Sequence, residues 1–302
     1  MDDKLDETQM LEEIGQIIEK YVTAGKILSK VREETAKQVK VGASLFEVAR
    51  FSEDRIRELG GEPAFPINIS CNEEAAHATP KKDDTQVFGE DMVKLDIGVH
   101  IDGYIADTAK TVDLSGNPEL VEAAEAALEA AIKAIHAGIN TAELGVIISD
   151  TITGFGYKPV ANLTGHGLAQ YMQHVPPSIP NIPIDKGVTL EVGQVVAIEP
   201  FATNGQGHVN EGASTEIYHI VGTRPIRAPA ARALLKEIEA YQTLPFAKRW
   251  LNSKHLDFAL LQLEKNGNIS SYPVLKEEKG ALVSQAEHTV IVEEDGCNVI
   301  TR

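Results

Sequence analysis

The sequence predicts an α+β fold, a mixed or antiparallel sheet with helices on one side. Three observations carry this. The stretch Lys94–Val112, KLDIGVHIDGYIADTAKTV, alternates apolar and polar residues on either side of an Asp-Gly turn signal, the pattern of an antiparallel hairpin. Two helical patterns precede it and two follow it. Two further apolar strand patterns, VVAIEPF from Val195 and AEHTVIVEE from Ala286, lie downstream.

In order, Met10, Ile14, Ile17, Ile18, Tyr21, Ile27, Leu28 and Val31 recur at helical spacing and predict one long helix from Glu7 to about Lys40. Ser44, with Glu47 three residues on, predicts a capping box opening a second helix that stops at Gly60-Gly61. Pro63, Pro66 and Pro80 exclude a long helix from the segment that carries Phe65 and His77. After the hairpin, the Ala-rich run from Pro118 to about His136 has high helix propensity, and Thr141 is placed to cap a helix reaching Phe155. The run PPSIPNIPIDKG is expected to be loop. Residues 225–268 read as short amphipathic helices interrupted by Pro245, a helical insertion within one domain spanning 1–302.

The hairpin contains an electrostatic problem. If it pairs about Ile101–Asp102, Asp96 and Asp107 are direct cross-strand partners, with Cβ atoms about 4.5–5.5 Å apart. Two like charges in a mostly apolar setting require either a raised pKa on one carboxyl or a bound cation. A solvated hairpin with two surface aspartates is the competing reading, because a one-residue slip puts the carboxylates on different faces. Other residues of the right chemistry follow. His166 lies between two glycines, where backbone approaches closely. His174 follows eight residues later. Glu199 stands inside an apolar strand, where a carboxylate must be paired, protonated or coordinated. Glu287 heads the last apolar strand. Each histidine taken alone reads equally as a structural residue making one hydrogen bond.

Together, Asp96, Asp107, His166, Glu199 and Glu287 form a hard, oxygen-rich set without thiolate. It suits Mn, Fe(II), Co or Zn and carries too much charge for one ion. Two divalent ions about 3.5–4 Å apart balance four carboxylates. The reaction class this implies is metal-assisted hydrolysis of an amide.

The net charge of −17 argues against nucleic acid and anionic membrane as partners and favours a cationic substrate such as a free amino terminus. Cys71 and Cys297 are far apart in sequence and in no metal-type spacing, which points to a reducing compartment. No signal peptide or membrane span is read, so a cytoplasmic, monomeric protein is expected.

The segments KLDIGVHIDGYIADTAKTV, TGHGLAQYMQH, AIEPFATNGQG and QAEHTVIVEE together resemble methionine aminopeptidases of type 2, archaeal in size. The resemblance implies the pita-bread fold, a curved antiparallel sheet backed by helices, and places 225–268 as the insertion of type 2 enzymes. It implies removal of the initiator methionine from nascent polypeptide N-termini when the second residue is small. By the same resemblance, Asp107 and Glu287 would bridge two ions. Asp96, His166 and Glu199 would complete the ligands, with Glu199 also the general base. His77 and His174 would contact the scissile peptide. Phe65 and Tyr272 would line the methionine pocket. Gln173 stands where some relatives carry an aliphatic residue. Two rivals share the scaffold: a proline-specific aminopeptidase or prolidase, which usually carries a domain ahead of the catalytic one, and a non-catalytic binding protein, which loses ligands.

Overall fold

The computed structural model describes residues 2–302, with side chains at positions 9–213 and 215–302. Two helix pairs each back one half of the protein. Helices α1 (Asp2–Ala36) and α2 (Leu45–Glu58) cover a sheet whose central strand, Met92–Ile101, pairs with Glu62–Pro63, Asn68–Cys71 and Tyr104–Asp113. Leu28, Val31, Val48, Ile56, Leu95 and Ile97 form the core beneath them. Helices α3 (Pro118–Ala134) and α4 (Thr141–Gly154) cover a five-stranded sheet built around Val195–Ile198 and His288–Glu293. There the alanines of α3 bring its backbone close to the core of Leu144, Ile148, Val196 and Val290. Every strand pairing among the described residues is antiparallel.

The two halves meet along the free edge of the strand Tyr104–Asp113, and threonine hydroxyls close this seam. Thr289 Oγ1 accepts from the backbone N–H of Asp107 at 2.8 Å and donates to its carbonyl at 2.8 Å. Thr108 Oγ1 donates to the carbonyl of Glu287 at 2.6 Å. Thr111 Oγ1 donates to the carbonyl of Gln285 at 2.7 Å and accepts its N–H at 2.9 Å. One backbone bond, Glu287 N–H to the Ala109 carbonyl at 3.1 Å, completes it. An edge strand that would otherwise leave buried amides unpaired is thereby satisfied.

Four local expectations need correction. The hairpin turns on Asp102-Gly103, with Ile101 opposite Tyr104, so Asp96 faces Ala109 and Asp107 faces Gly98. The two aspartates are therefore diagonal neighbours on one face, two residues out of direct register, because the loop residues sit one position later than the symmetric reading. The cap of α4 is Asn140, not Thr141: its Oδ1 accepts from the Ala142 N–H at 2.9 Å while Glu143 reaches back to the Asn140 N–H at 3.3 Å. The capping box expected at Ser44 is half made, since Glu47 turns to Arg50. Finally, part of the proline-rich run is strand: Met172–Pro180 continues through Pro176 and Pro177, tolerated because it is the edge of the five-stranded sheet.

The long helix is present, but Met10, Leu11, Ile14 and Ile18 are exposed; Ile17 packs against the core and Tyr21 is the first residue buried in it. In the 225–268 segment, α5 (Pro229–Ile238) and α6 (Leu256–Lys265) pack with Tyr218, Phe246 and Ile269 into a third small core. Between them Phe246–Ala247 adds a short strand to Asn210–Ile220. Glu53 on α2 ties this segment down, pairing with Arg249 and accepting from Trp250 Nε1 at 2.8 Å.

Replacing Thr289 by valine keeps the shape but strands the N–H and carbonyl of Asp107. A loss of about 1–3 kcal/mol is expected in urea denaturation, with Thr289→Ser recovering most of it.

Candidate metal centre

A cleft of about 520 Å³ opens where the two halves meet. Asp96 and Asp107 enter it from the two arms of the hairpin, and His166 from the strand Thr164–Ala169. Glu199 enters at the break between Val195–Ile198 and Phe201–Thr203, where Pro200 interrupts the ladder, and Glu287 just ahead of His288–Glu293. All five side chains expected as ligands thus reach one cavity.

The glycines around His166 have a visible purpose. A Cβ at Gly165 would meet the Ala197 carbonyl oxygen at 2.3 Å, and one at Gly167 would meet the Pro176 carbonyl oxygen at 2.4 Å. Only glycine lets the strand that carries His166 lie this close to both neighbours.

Potential ligand atoms of Asp107, His166 and Glu287 lie within 4.8 Å of one another. His166 Nε2 stands 3.6 Å from Glu199 Oε1 and 3.9 Å from Asp107 Oδ2. Gln285, which the sequence reading left without a role, connects the remaining acids: its Nε2 lies 3.3 Å from Glu199 Oε2 and 3.5 Å from Asp96 Oδ2. Nothing in its residue type distinguishes it; only the antiparallel pairing of Gln285 with Phe201 brings it under the cleft.

The electrostatics are those of a cation site. Burial first, and neighbouring carboxylates second, push Asp107, Glu199 and Glu287 well above the ordinary carboxylate range. Burial pushes Asp96 up to about 7. It lowers His166 to about 4, which keeps its imidazole neutral and fit to ligate. Among the described residues no lysine or arginine pairs with any of the four acids. Asp96 Oδ1, Asp107 Oδ1 and Glu287 Oε2 are buried with no hydrogen-bond partner. Carboxylate oxygens left bare on three acids, beside a neutral imidazole, fit a divalent cation with hard donors.

The other expected residues line the same region. His77 has a left-handed backbone, φ 64°, and its Nδ1 lies 3.2 Å from the Pro273 carbonyl. A carbonyl only accepts, so Nδ1 carries the proton and Nε2 is the free acceptor. The His174 ring packs edge-on to His166, with centroids 4.4 Å apart. Tyr272 stands 5.2 Å from the His77 ring and 6.2 Å from that of His174. Beside the cleft is a small pocket walled by Phe65, Ile217, Pro245 and Tyr272. Phe65 lies flat over Gly98, where a Cβ would meet its ring at 2.2 Å. Ile217 and Pro245 were not anticipated, because they arrive from the distant 210–247 region.

Known proteins resemble this chain over most of its length. The model of metallopeptidase family M24 matches residues 19–228. A methionine aminopeptidase of Archaeoglobus fulgidus is 55% identical over 289 residues, 95% of this chain and 99% of that one. One from Methanocaldococcus jannaschii is 51% identical over 288 residues, 94% and 98% of the two chains. Among solved structures, a thermophilic Arx1 superposes with a TM-score of 0.83 at 18% identity, covering 94% of this chain and 90% of that one, which speaks to the fold alone. The architecture is the pita-bread fold anticipated from the sequence, and the chain belongs to metallopeptidase family M24.

Proposed function

We propose that the protein is a methionine aminopeptidase of type 2 that removes the initiator methionine from nascent polypeptides with a small second residue. One observation carries this reading: identity above half, over nearly the whole length, to an archaeal methionine aminopeptidase, with all five candidate ligands facing one cleft.

We assign Asp96, Asp107, His166, Glu199 and Glu287 as the residues that would hold two divalent ions. Four carboxylates balance the charge of two such ions, and Co, Mn, Fe(II) and Zn all suit the donor set. When bound, the ions supply Lewis acidity and lower the pKa of water at the site. Glu199 would serve as the general base. His77, neutral and with Nε2 free, faces the scissile peptide, and His174 hydrogen-bonds the carbonyl as it gains charge. Phe65 and Tyr272 wall the pocket for the thioether, an apolar setting that suits a flexible methionine side chain.

We take the chain to form one catalytic domain, with 225–268 as an insertion whose Pro245 reaches the small pocket. Cys71 and Cys297 are both free, in keeping with a reducing cytoplasm. No helix among the described residues is long and apolar enough to cross a membrane. We take the protein to act as a monomer on free polypeptide N-termini.

The metal-loaded enzyme is expected to cleave Met-Ala-Ser and not Ala-Pro-Ala in a peptide assay; the reverse preference would make it a proline-specific peptidase. Asp107→Asn should abolish turnover and lower bound metal, whereas His77→Ala should keep the metal and lose about a hundredfold or more in kcat. Unchanged specific activity in the first, or an emptied site in the second, contradicts the assignments. Because the acids of the metal-free cleft have raised pKa values, with Asp96 near 7, they hold protons that a cation must displace. Metal binding should therefore release protons and strengthen as pH rises through 6 to 8. Calorimetry in buffers of different ionisation heat reads the proton count.

A further inference from the structure

We infer that Asn68 recognises the free α-amino group of the substrate through its side-chain carbonyl oxygen. The inference rests on the aminopeptidase reading above and adds a specificity residue to it.

Asn68 is only 4% exposed, yet it lines both the catalytic cleft and the small pocket beside it. It is the direct cross-strand partner of Asp96, so the two side chains share a face of the sheet. Its Nδ2 donates to the Pro66 carbonyl at 2.9 Å. Because that carbonyl can only accept, the orientation of the amide is set. Oδ1 is then left buried and without any partner. A buried carbonyl is rarely left bare, and here it stands where two cavities join.

The residues common to both cavities are Asn68, His77, Gln173, His174 and Tyr272. With a methionine side chain in the small pocket and its carbonyl in the cleft, the α-carbon lies at this junction. Its amino group then has N–H donors to offer, and Asn68 Oδ1 is an acceptor there that lacks one, the other, His77 Nε2, being assigned to the scissile peptide. A blocked N-terminus would instead bring an acyl oxygen towards Asn68 Oδ1 and Asp96, acceptor against acceptor. Asn68 thus favours chain ends that are free.

The test compares L-methionine with its des-amino analogue, 4-(methylthio)butanoic acid, as ligands of the metal-loaded enzyme by calorimetry. The two share a side chain and differ in the group at issue. Asn68→Ala is expected to reduce the preference for methionine by about tenfold to a hundredfold, with little change for the analogue. KM for Met-Ala-Ser should rise. Where Asn68→Ala does not fold, Asn68→Leu removes the acceptor while filling its space. Equal weakening of both ligands, or an unchanged preference, overturns the assignment and leaves Asn68 a structural residue. If the unaltered enzyme does not cleave Met-Ala-Ser, the aminopeptidase reading fails instead.

Discussion

Four carboxyl groups, from Asp96, Asp107, Glu199 and Glu287, face one cavity, and no cationic side chain among the described residues answers them. Two unit charges 4 Å apart repel by about 4 kcal/mol even at an effective dielectric constant of 20. Left to itself, such a cluster would hold its protons or spread apart. Each acid is fixed to backbone that has its own reasons for being where it is. The site is therefore built under electrostatic load, and a bound cation relieves it. The same load explains the bare carboxylate oxygens, while burial alone keeps His166 neutral beside them.

Position is set by the seam. Asp107 belongs to one half of the fold and Glu287 to the other, yet their potential ligand atoms lie within 4.8 Å of each other and of His166. The hydroxyls of Thr108, Thr111 and Thr289 fasten one strand edge to the backbone of Gln285, Glu287 and Asp107. Hydroxyls that both donate and accept satisfy buried amides at a junction where the ladder is incomplete. Gln285 is held by this seam and turns its own amide to Asp96 and Glu199. The framework and the chemistry thus share residues.

Outside the seam, the third core supports the pocket from a distance. Its helices α5 and α6 pack on the strands that carry Ile217 and Tyr272, and the stretch between them supplies Pro245. The buried pair of Glu53 and Arg249 fastens that stretch to α2. A pocket wall is thereby assembled from residues far apart in the chain, Phe65 and Tyr272 among them.

Much of this was legible in the chain itself. Periodicity located the helix pairs, and the Asp-Gly turn located the hairpin, because these signals are local. Carboxylates inside apolar strands and a histidine between glycines marked the candidate ligands, since burying such groups demands a partner. What the sequence left open needed neighbours far along the chain. The offset of Asp96 against Asp107 depended on where the turn closes. The strand through Pro176 and Pro177 depended on lying at a sheet edge, where a missing N–H goes unnoticed. The exposure of Met10, Leu11, Ile14 and Ile18 on α1 depended on where the core ends. The sequence by itself determined which groups must be neutralised; only the tertiary structure decided which oxygens stand bare and which residues hold them, because pairing across a seam is a property of two distant segments and of neither alone.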